Sequence, residues 1–242
     1  MPFATRWPPS GSLTPASSGP RLLTRTGHFG PVSQGRFITF EGGEGAGKST
    51  QLKRLVTRLQ GEGREVVATR EPGGSPGAES IRELVLKGAA DRWSPVTETL
   101  LMYAARRDHI ERVIRPSLAR GAWVLCDRFA DSTRAYQGAA GGVAPELIAA
   151  METYILEETR PDLTLIFDMP VDVGLQRAHE RAGSEMRFES KGAAFHERLR
   201  DGFLAIAAAE PGRCAVVDAV GSLDEVEARV WAAVADRLAA HG

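Results

Sequence analysis

From Arg36 onward the chain alternates two hydrophobic patterns. Short, largely apolar runs, "RFITF" (36–40), "EVVAT" (65–69), "AWVLC" (122–126), "LTLIF" (163–167) and "CAVV" (214–217), are separated by longer segments in which apolar residues recur at helical spacing. Apolar runs with little polar alternation fit strands covered on both faces, and helical segments between them make βαβ units. The expected fold is α/β, with a five-stranded parallel sheet between two helical layers. Leu52, Leu55, Val56 and Leu59 predict a helix that starts near Lys48 and stops at "GEG" (61–63). A second helix is expected around Ile81, Leu84 and Val85. A long third one runs through Leu100, Leu101, Ile110 and Val113, with Pro116 and Gly121 expected to end it. The last helix carries Leu223, Val226, Val230, Val234 and Leu238.

Residues 1 to 35 break this pattern. They are rich in Pro, Ser, Gly and Thr, hold no acidic residue and show no sustained apolar period. They read as a disordered extension, or as a chain start placed upstream of the folded part, and residues 36–242 as one domain. Their prolines argue against an amphipathic transit peptide, and no continuous apolar stretch suits a secretory signal. Across the chain no apolar run reaches membrane-spanning length. The formal charge of −1 leaves no basic field for general nucleic-acid binding, so any anion site must be local. Two cysteines without a framework pattern suit a reducing compartment, and the expected location is the cytoplasm. Arginine is abundant while lysine occurs only at 48, 53, 87 and 191, which makes most arginines surface background and singles out Lys48 behind Gly47.

Lys48 completes a motif. Gly42-x4-Gly47-Lys48-Ser49 satisfies G-x-x-x-x-G-K-[ST] between a predicted strand and a predicted helix. Glycines let successive backbone N–H groups converge on phosphates, the helix start adds partial positive charge, Lys48 reaches the outer phosphates and Ser49 offers a hydroxyl to Mg2+. The loop is therefore read as a nucleoside triphosphate site with Mg2+ as cofactor. Asp127, at the end of "AWVLC", stands where a carboxylate would assist that ion directly or through water; a cap or turn aspartate is the other reading. A chain without asparagine lacks the Asn-Lys-x-Asp that reads guanine. "TREPGG" (69–74) and "DRF" (127–129) follow the second and third strands, with "STRAYQG" (132–138) just beyond. Ligands of open α/β sheets lie outside the carboxyl ends of the strands, so these segments should converge near Lys48, and two arginines there imply a second, phosphorylated substrate.

These segments, with "FEGGEGAGKST" (40–50) and "RPDLTLIFD" (160–168), resemble the thymidylate kinase family from about Arg36 to the C-terminus. The resemblance implies a P-loop kinase of nucleoside monophosphate kinase type, with ATP and dTMP as substrates and a homodimer as assembly. It assigns ATP binding to Gly42, Gly43, Glu44, Gly45, Ala46, Gly47, Lys48, Ser49, Thr50 and Arg181, and the metal to Ser49 and Asp127. Arg70 and Arg128 would hold the dTMP phosphate, Arg106, Ser132, Thr133 and Gln137 the base, and Tyr136 the deoxyribose. Lys48, Arg128 and Arg187 would be catalytic, Arg187 lying in a lid at about 180–192, as in bacterial members whose loop lacks an arginine. Where the family commonly stacks an aromatic on thymine this chain has Met102, with Tyr103 and Phe129 as other candidates, which leaves dTMP against dUMP open. Two rivals stand beside this reading. A nucleoside kinase would use Glu71 as base on a hydroxyl, and a nucleotide-binding module would transfer nothing.

Overall fold

The computed structural model describes residues 35–89, 92–180 and 191–238. Five strands, β1 (Arg36–Gly42), β2 (Val66–Arg70), β3 (Trp123–Asp127), β4 (Leu163–Asp168) and β5 (Cys214–Asp218), form one parallel sheet in the order β2-β3-β1-β4-β5. The helices are α1 (Lys48–Gly61), α2 (Pro76–Leu86), α3 (Pro95–His109), α4 (Arg115–Ala119), α5 (Ala130–Thr133), α6 (Pro145–Leu156), α7 (Val171–Glu180), α8 (Ala193–Ala209) and α9 (Leu223–Leu238).

Alternation along β1 sets the layers. Ile38 and Phe40 face one side, where Leu52, Leu55 and Leu59 of α1 and Val226, Val230 and Val234 of α9 cover them together with Leu125, Leu165 and Val217. Phe37 faces the other side with Val124 and Cys126, under Tyr103 and Ile110 and beside Ile148 and Leu156 of α6. Ile166 of β4 completes that second layer against Phe195, Leu199 and Phe203 of α8. Cys126 and Cys214 are buried thiols, and among the described residues no helix is long and apolar enough to cross a membrane.

Register levels the strand ends that matter. Phe40 pairs with Asp127, Asp127 with Arg70, and Gly42 with Phe167. After β1 the chain crosses to β2, returns to β3, then passes to β4 on the other flank. The loop after β1 therefore opens at a switch point of the sheet, where adjacent crossovers diverge and leave a crevice.

One helical expectation is corrected. Pro116 does not end the long helix: α3 continues through a π-helical turn at Ile110–Ile114 into α4, which contains Pro116. Arg115 N–H reaches back five residues to the Ile110 carbonyl, and this wider turn accommodates the missing proline donor and its ring. Gly121, at φ +86°, makes the stop just past Ala119. "STRAYQG", to which the sequence pattern assigned no element, is helical, forming the end of α5 and a π-helical stretch at Arg134–Ala139.

Phe37 ties the sheet to the chain beyond β3, since its ring meets that of Phe129 edge-on at 4.9 Å and both are fully buried. Phe37→Ala is expected to lower unfolding free energy by about 3–5 kcal/mol in chemical denaturation. A loss under about 1 kcal/mol would show that this contact does not anchor the Phe129 turn.

Candidate active site

Glycines shape the loop after β1. Gly45 adopts φ +71° and a Cβ there would lie 1.9 Å from the Gly174 carbonyl oxygen, while a Cβ on Gly42, at φ +127°, would lie 2.3 Å from that of Phe167. Only glycine fits either place, so the loop passes close over the start of α7 and the end of β4. It ends at Gly47, which caps α1 in the left-handed conformation and presents the helix N-terminus to the crevice.

Lys48 opens α1 and folds back, its Nζ donating to the carbonyls of Gly42 (3.0 Å) and Gly43 (2.6 Å). Burial, and then the neighbouring charge of Arg128, bring its pKa down to about 8. Beside it the Ser49 hydroxyl donates to the Asp127 carboxylate. Among the described residues no cluster of three or more His, Cys, Asp or Glu could hold a metal ion. One hydroxyl and one carboxylate suit Mg2+, a hard ion that takes few protein oxygens and completes its shell with water and phosphate.

Arg128 follows β3 directly and has φ +70°, a region that non-glycine residues enter at a cost. Backbone bonds hold it there: Arg128 N–H donates to the Phe40 carbonyl at 3.0 Å, and Phe129 N–H to Glu41 Oε1 at 2.7 Å. Glu41 Oε2 accepts from the Ser132 hydroxyl at 2.6 Å. Burial, and then the charge of Asp131, push the Glu41 carboxyl well above the usual carboxylate range. The twisted turn aims the Arg128 guanidinium back at the loop. Nη1 donates to the Gly42 carbonyl (3.0 Å) and the Ser132 hydroxyl (3.3 Å), and Nη2 to Glu44 Oε1 (3.0 Å).

Glu44 belongs to the loop by sequence, yet its carboxylate meets Arg128 and also accepts from the Tyr136 hydroxyl at 2.6 Å. Burial alone would raise its pKa, but Arg128, Lys48 and the Tyr136 hydrogen bond bring it to about 2. Any stability it contributes is therefore complete above its ordinary value of 4.5 and lost only as pH falls through about 2.

A cleft of about 500 Å3 joins these parts to a second set of residues. Glu44–Ser49 and Asp127 line it, as do Arg70, Met102, Arg106, Arg128, Ser132, Thr133, Tyr136 and Gln137. Arg70 is at the rim, half exposed and paired with Glu79 at 3.1 Å. Arg106 is buried: Nε donates to Glu71 Oε2 (2.7 Å) and Nη2 to the Phe129 carbonyl (3.0 Å) and Thr133 Oγ1 (3.1 Å). Its Nη1 is buried without a hydrogen-bond partner among the described residues. Met102 and Phe129 line the cleft; Tyr103 does not, and packs in the core beneath. Thr50 is exposed outside the lining, while Gly43 borders a smaller cavity behind the loop. Arg181, Arg187 and most of the expected lid lie outside the described residues, as do residues 1–34.

The family model described as thymidylate kinase matches residues 40–230. The chain belongs to the thymidylate kinase family. It is 68% identical over 207 residues to the thymidylate kinase of Caulobacter vibrioides, covering 86% of this chain and 99% of that one. It is 58% identical over 206 residues to that of Nitrobacter winogradskyi, covering 84% and 90%. The crystal structure of thymidylate kinase from Ehrlichia chaffeensis superposes with a TM-score of 0.66 at 34% identity, covering 82% of this chain and 97% of that chain.

Within this thymidylate kinase fold, one lining residue had no role in the motif reading. Arg82 of α2 lines the cleft and donates to the Pro72 carbonyl at 2.6 Å. In sequence it is one more arginine on an amphipathic helix, and nothing marks it. Glu71 lies inside "TREPGG" but is engaged on both oxygens, by Arg106 and by His109 at 2.9 Å.

Proposed function

We propose that this cleft transfers the γ-phosphoryl of ATP to dTMP, giving ADP and dTDP. The observation that carries the reading is that one cleft combines a phosphate-binding loop with two further arginines and a buried, partly unsatisfied polar wall. In this reading the loop from Gly42 to Ser49 cradles the ATP phosphates, and Thr50 follows on α1. Mg2+, held by Ser49 and by Asp127 directly or through water, would supply charge neutralisation at the transferring group. Arg70 and Arg128 hold the acceptor phosphate, and Tyr136 lies against the sugar. Arg106, with Ser132, Thr133 and Gln137, reads the base over Met102. The unpartnered Arg106 Nη1 supports this, because a base carbonyl would satisfy a buried donor that otherwise carries a desolvation cost.

The chemistry asks for little proton transfer. A phosphate monoester has a second pKa near ~6, so the acceptor oxygen is largely ionised near neutral pH. Lys48 and Arg128 instead bring two anions together and hold them in line. On the family resemblance Arg187 supplies a further cation from the lid, with Arg181 on the ATP side. A nucleoside kinase would need a base near a hydroxyl; Glu71, bonded to Arg106 and His109, does not suit that role. The family resemblance and the exposed Val96 and Leu100 of α3 support a homodimer through that helix, and the protein is assigned to the cytoplasm.

The test is ADP formation by the purified enzyme with ATP, Mg2+ and either dTMP or thymidine. dTMP is expected to be turned over at least about a hundredfold faster than thymidine, because the acceptor arginines bind only the phosphorylated molecule. Turnover of thymidine alone would make it a nucleoside kinase. ATP binding with no dTDP formed would make it a nucleotide-binding module.

A further inference from the structure

Two buried carboxylates stand at the cleft wall, Glu71 within its lining and Glu98 outside it, 5% and 6% exposed. Each bonds a side chain that lines the cleft. Glu71 takes Arg106 Nε and is itself held by His109, whose other ring nitrogen lies 2.7 Å from Thr69 Oγ1. With Nε and Nη2 engaged, Arg106 keeps Nη1 for a ligand, and a guanidinium can only donate.

Glu98 acts on Gln137. An amide can present either its oxygen or its nitrogen, two nearly isosteric choices, and its neighbours decide between them. Gln137 Nε2 donates to Glu98 Oε1 at 2.8 Å in a buried contact. With Glu98 Oε1 accepting from it, the Gln137 NH2 faces Glu98, and the atom left for a ligand is the acceptor Oε1. Turning the amide over would set two acceptors against each other in a buried place.

We propose that Glu98 is a specificity-determining positioning residue: by fixing the Gln137 amide it makes the base wall a donor, Arg106, beside an acceptor, Gln137. That order complements a 4-oxo pyrimidine, whose O4 accepts and whose N3–H donates. It opposes a 4-amino pyrimidine, whose exocyclic amine donates and whose N3 accepts. The pair does not read the 5-methyl group, so the device selects the thymine or uracil class against cytosine. The inference rests on dTMP being the acceptor.

The test compares kcat/KM for dTMP and dCMP in wild-type enzyme and in Glu98→Gln. The replacement keeps the shape but offers Gln137 either an oxygen or a nitrogen, freeing its amide to turn. Wild type is expected to prefer dTMP by about a hundredfold or more, and Glu98→Gln to lower that preference about tenfold or more with KM for ATP unchanged. The ratio does not depend on how much enzyme is folded; should Glu98→Gln yield no protein, Glu98→Asp, whose carboxylate falls short of Nε2, is expected to shift it the same way. Equal losses for both substrates at an unchanged ratio would overturn the proposal and make Glu98 merely structural. A wild-type enzyme without preference for dTMP would overturn the acceptor reading itself, and this inference with it.

Discussion

Lys48→Ala is expected to lower kcat for dTDP formation by about three orders of magnitude while raising KM for ATP far less. The reason is where the ammonium stands. Its Nζ is already 2.6 Å and 3.0 Å from two loop carbonyls at the mouth of α1, within a side chain's swing of any phosphate the loop holds. In the proposed site most of the triphosphate's binding would come from backbone N–H groups and the helix end, which the substitution leaves in place. Charge that develops on the transferring oxygens would lose one buried cation of the loop, and removing one preorganised donor of this kind costs on the order of 10² to 10³ in rate. Stability should move the other way or not at all. Burial brings the Lys48 pKa to about 8 from 10.5, so at pH 7 the folded protein holds a charge it would rather release, and Lys48→Met removes that cost. The expected pattern is an inactive protein that melts no lower than wild type. Activity within tenfold of wild type in Lys48→Ala would take the lysine out of phosphoryl transfer.

How far this site could be read from the chain depends on the kind of information involved. The strands were legible because both sheet faces are covered, so "AWVLC" is an unbroken apolar run and "LTLIF" is broken only by Thr164. The phosphate loop was legible because its glycines meet local demands, such as the approach of Gly45 to Gly174, that leave no other residue type. Convergence of Arg70, Arg128 and the Ser132–Gln137 segment near Lys48 was expected from strand ends at one level of a parallel sheet; the register sets Arg70 opposite Asp127, and one cleft is lined by residues of all these segments. The helical form of "STRAYQG" was not legible: a π-helical stretch has no apolar period of its own, and the segment's polar and glycine content resembles a loop. Pro116 misled for a related reason, since a wider turn just before it relieved the clash that normally ends a helix. Glu98 and His109 left no local trace at all, and Glu71 was legible only as a carboxylate inside "TREPGG", not as the partner of Arg106 and His109. Their partners lie 35 to 39 residues away, and such pairing of polar groups across elements has no period to detect.

Arg128→Ala is expected to cost about 10³ in kcat/KM for dTMP, with ATP binding nearly unchanged. One guanidinium touches both halves of the cleft: Nη1 reaches the Gly42 carbonyl at the loop's start, and Nη2 reaches Glu44, which also holds Tyr136. An acceptor phosphate entering between them would meet a planar donor fork already set by its neighbours, and arginines that neutralise a transferring phosphoryl group contribute on the order of 10³ or more in other enzymes. Arg128→Lys should recover little, because an ammonium is a point charge that cannot span Gly42 and Ser132 on one side and Glu44 on the other. The backbone offers a separate readout. At φ +70° any L side chain at this position is strained, so Arg128→Gly should be about 1 kcal/mol more stable than Arg128→Ala in denaturant titration while being equally inactive. Together the three variants separate the role of the side chain from that of the turn. If Arg128→Lys retained more than a tenth of wild-type kcat/KM, charge alone would suffice, and the fork geometry that Glu41 and Phe40 hold in place would have no catalytic purpose.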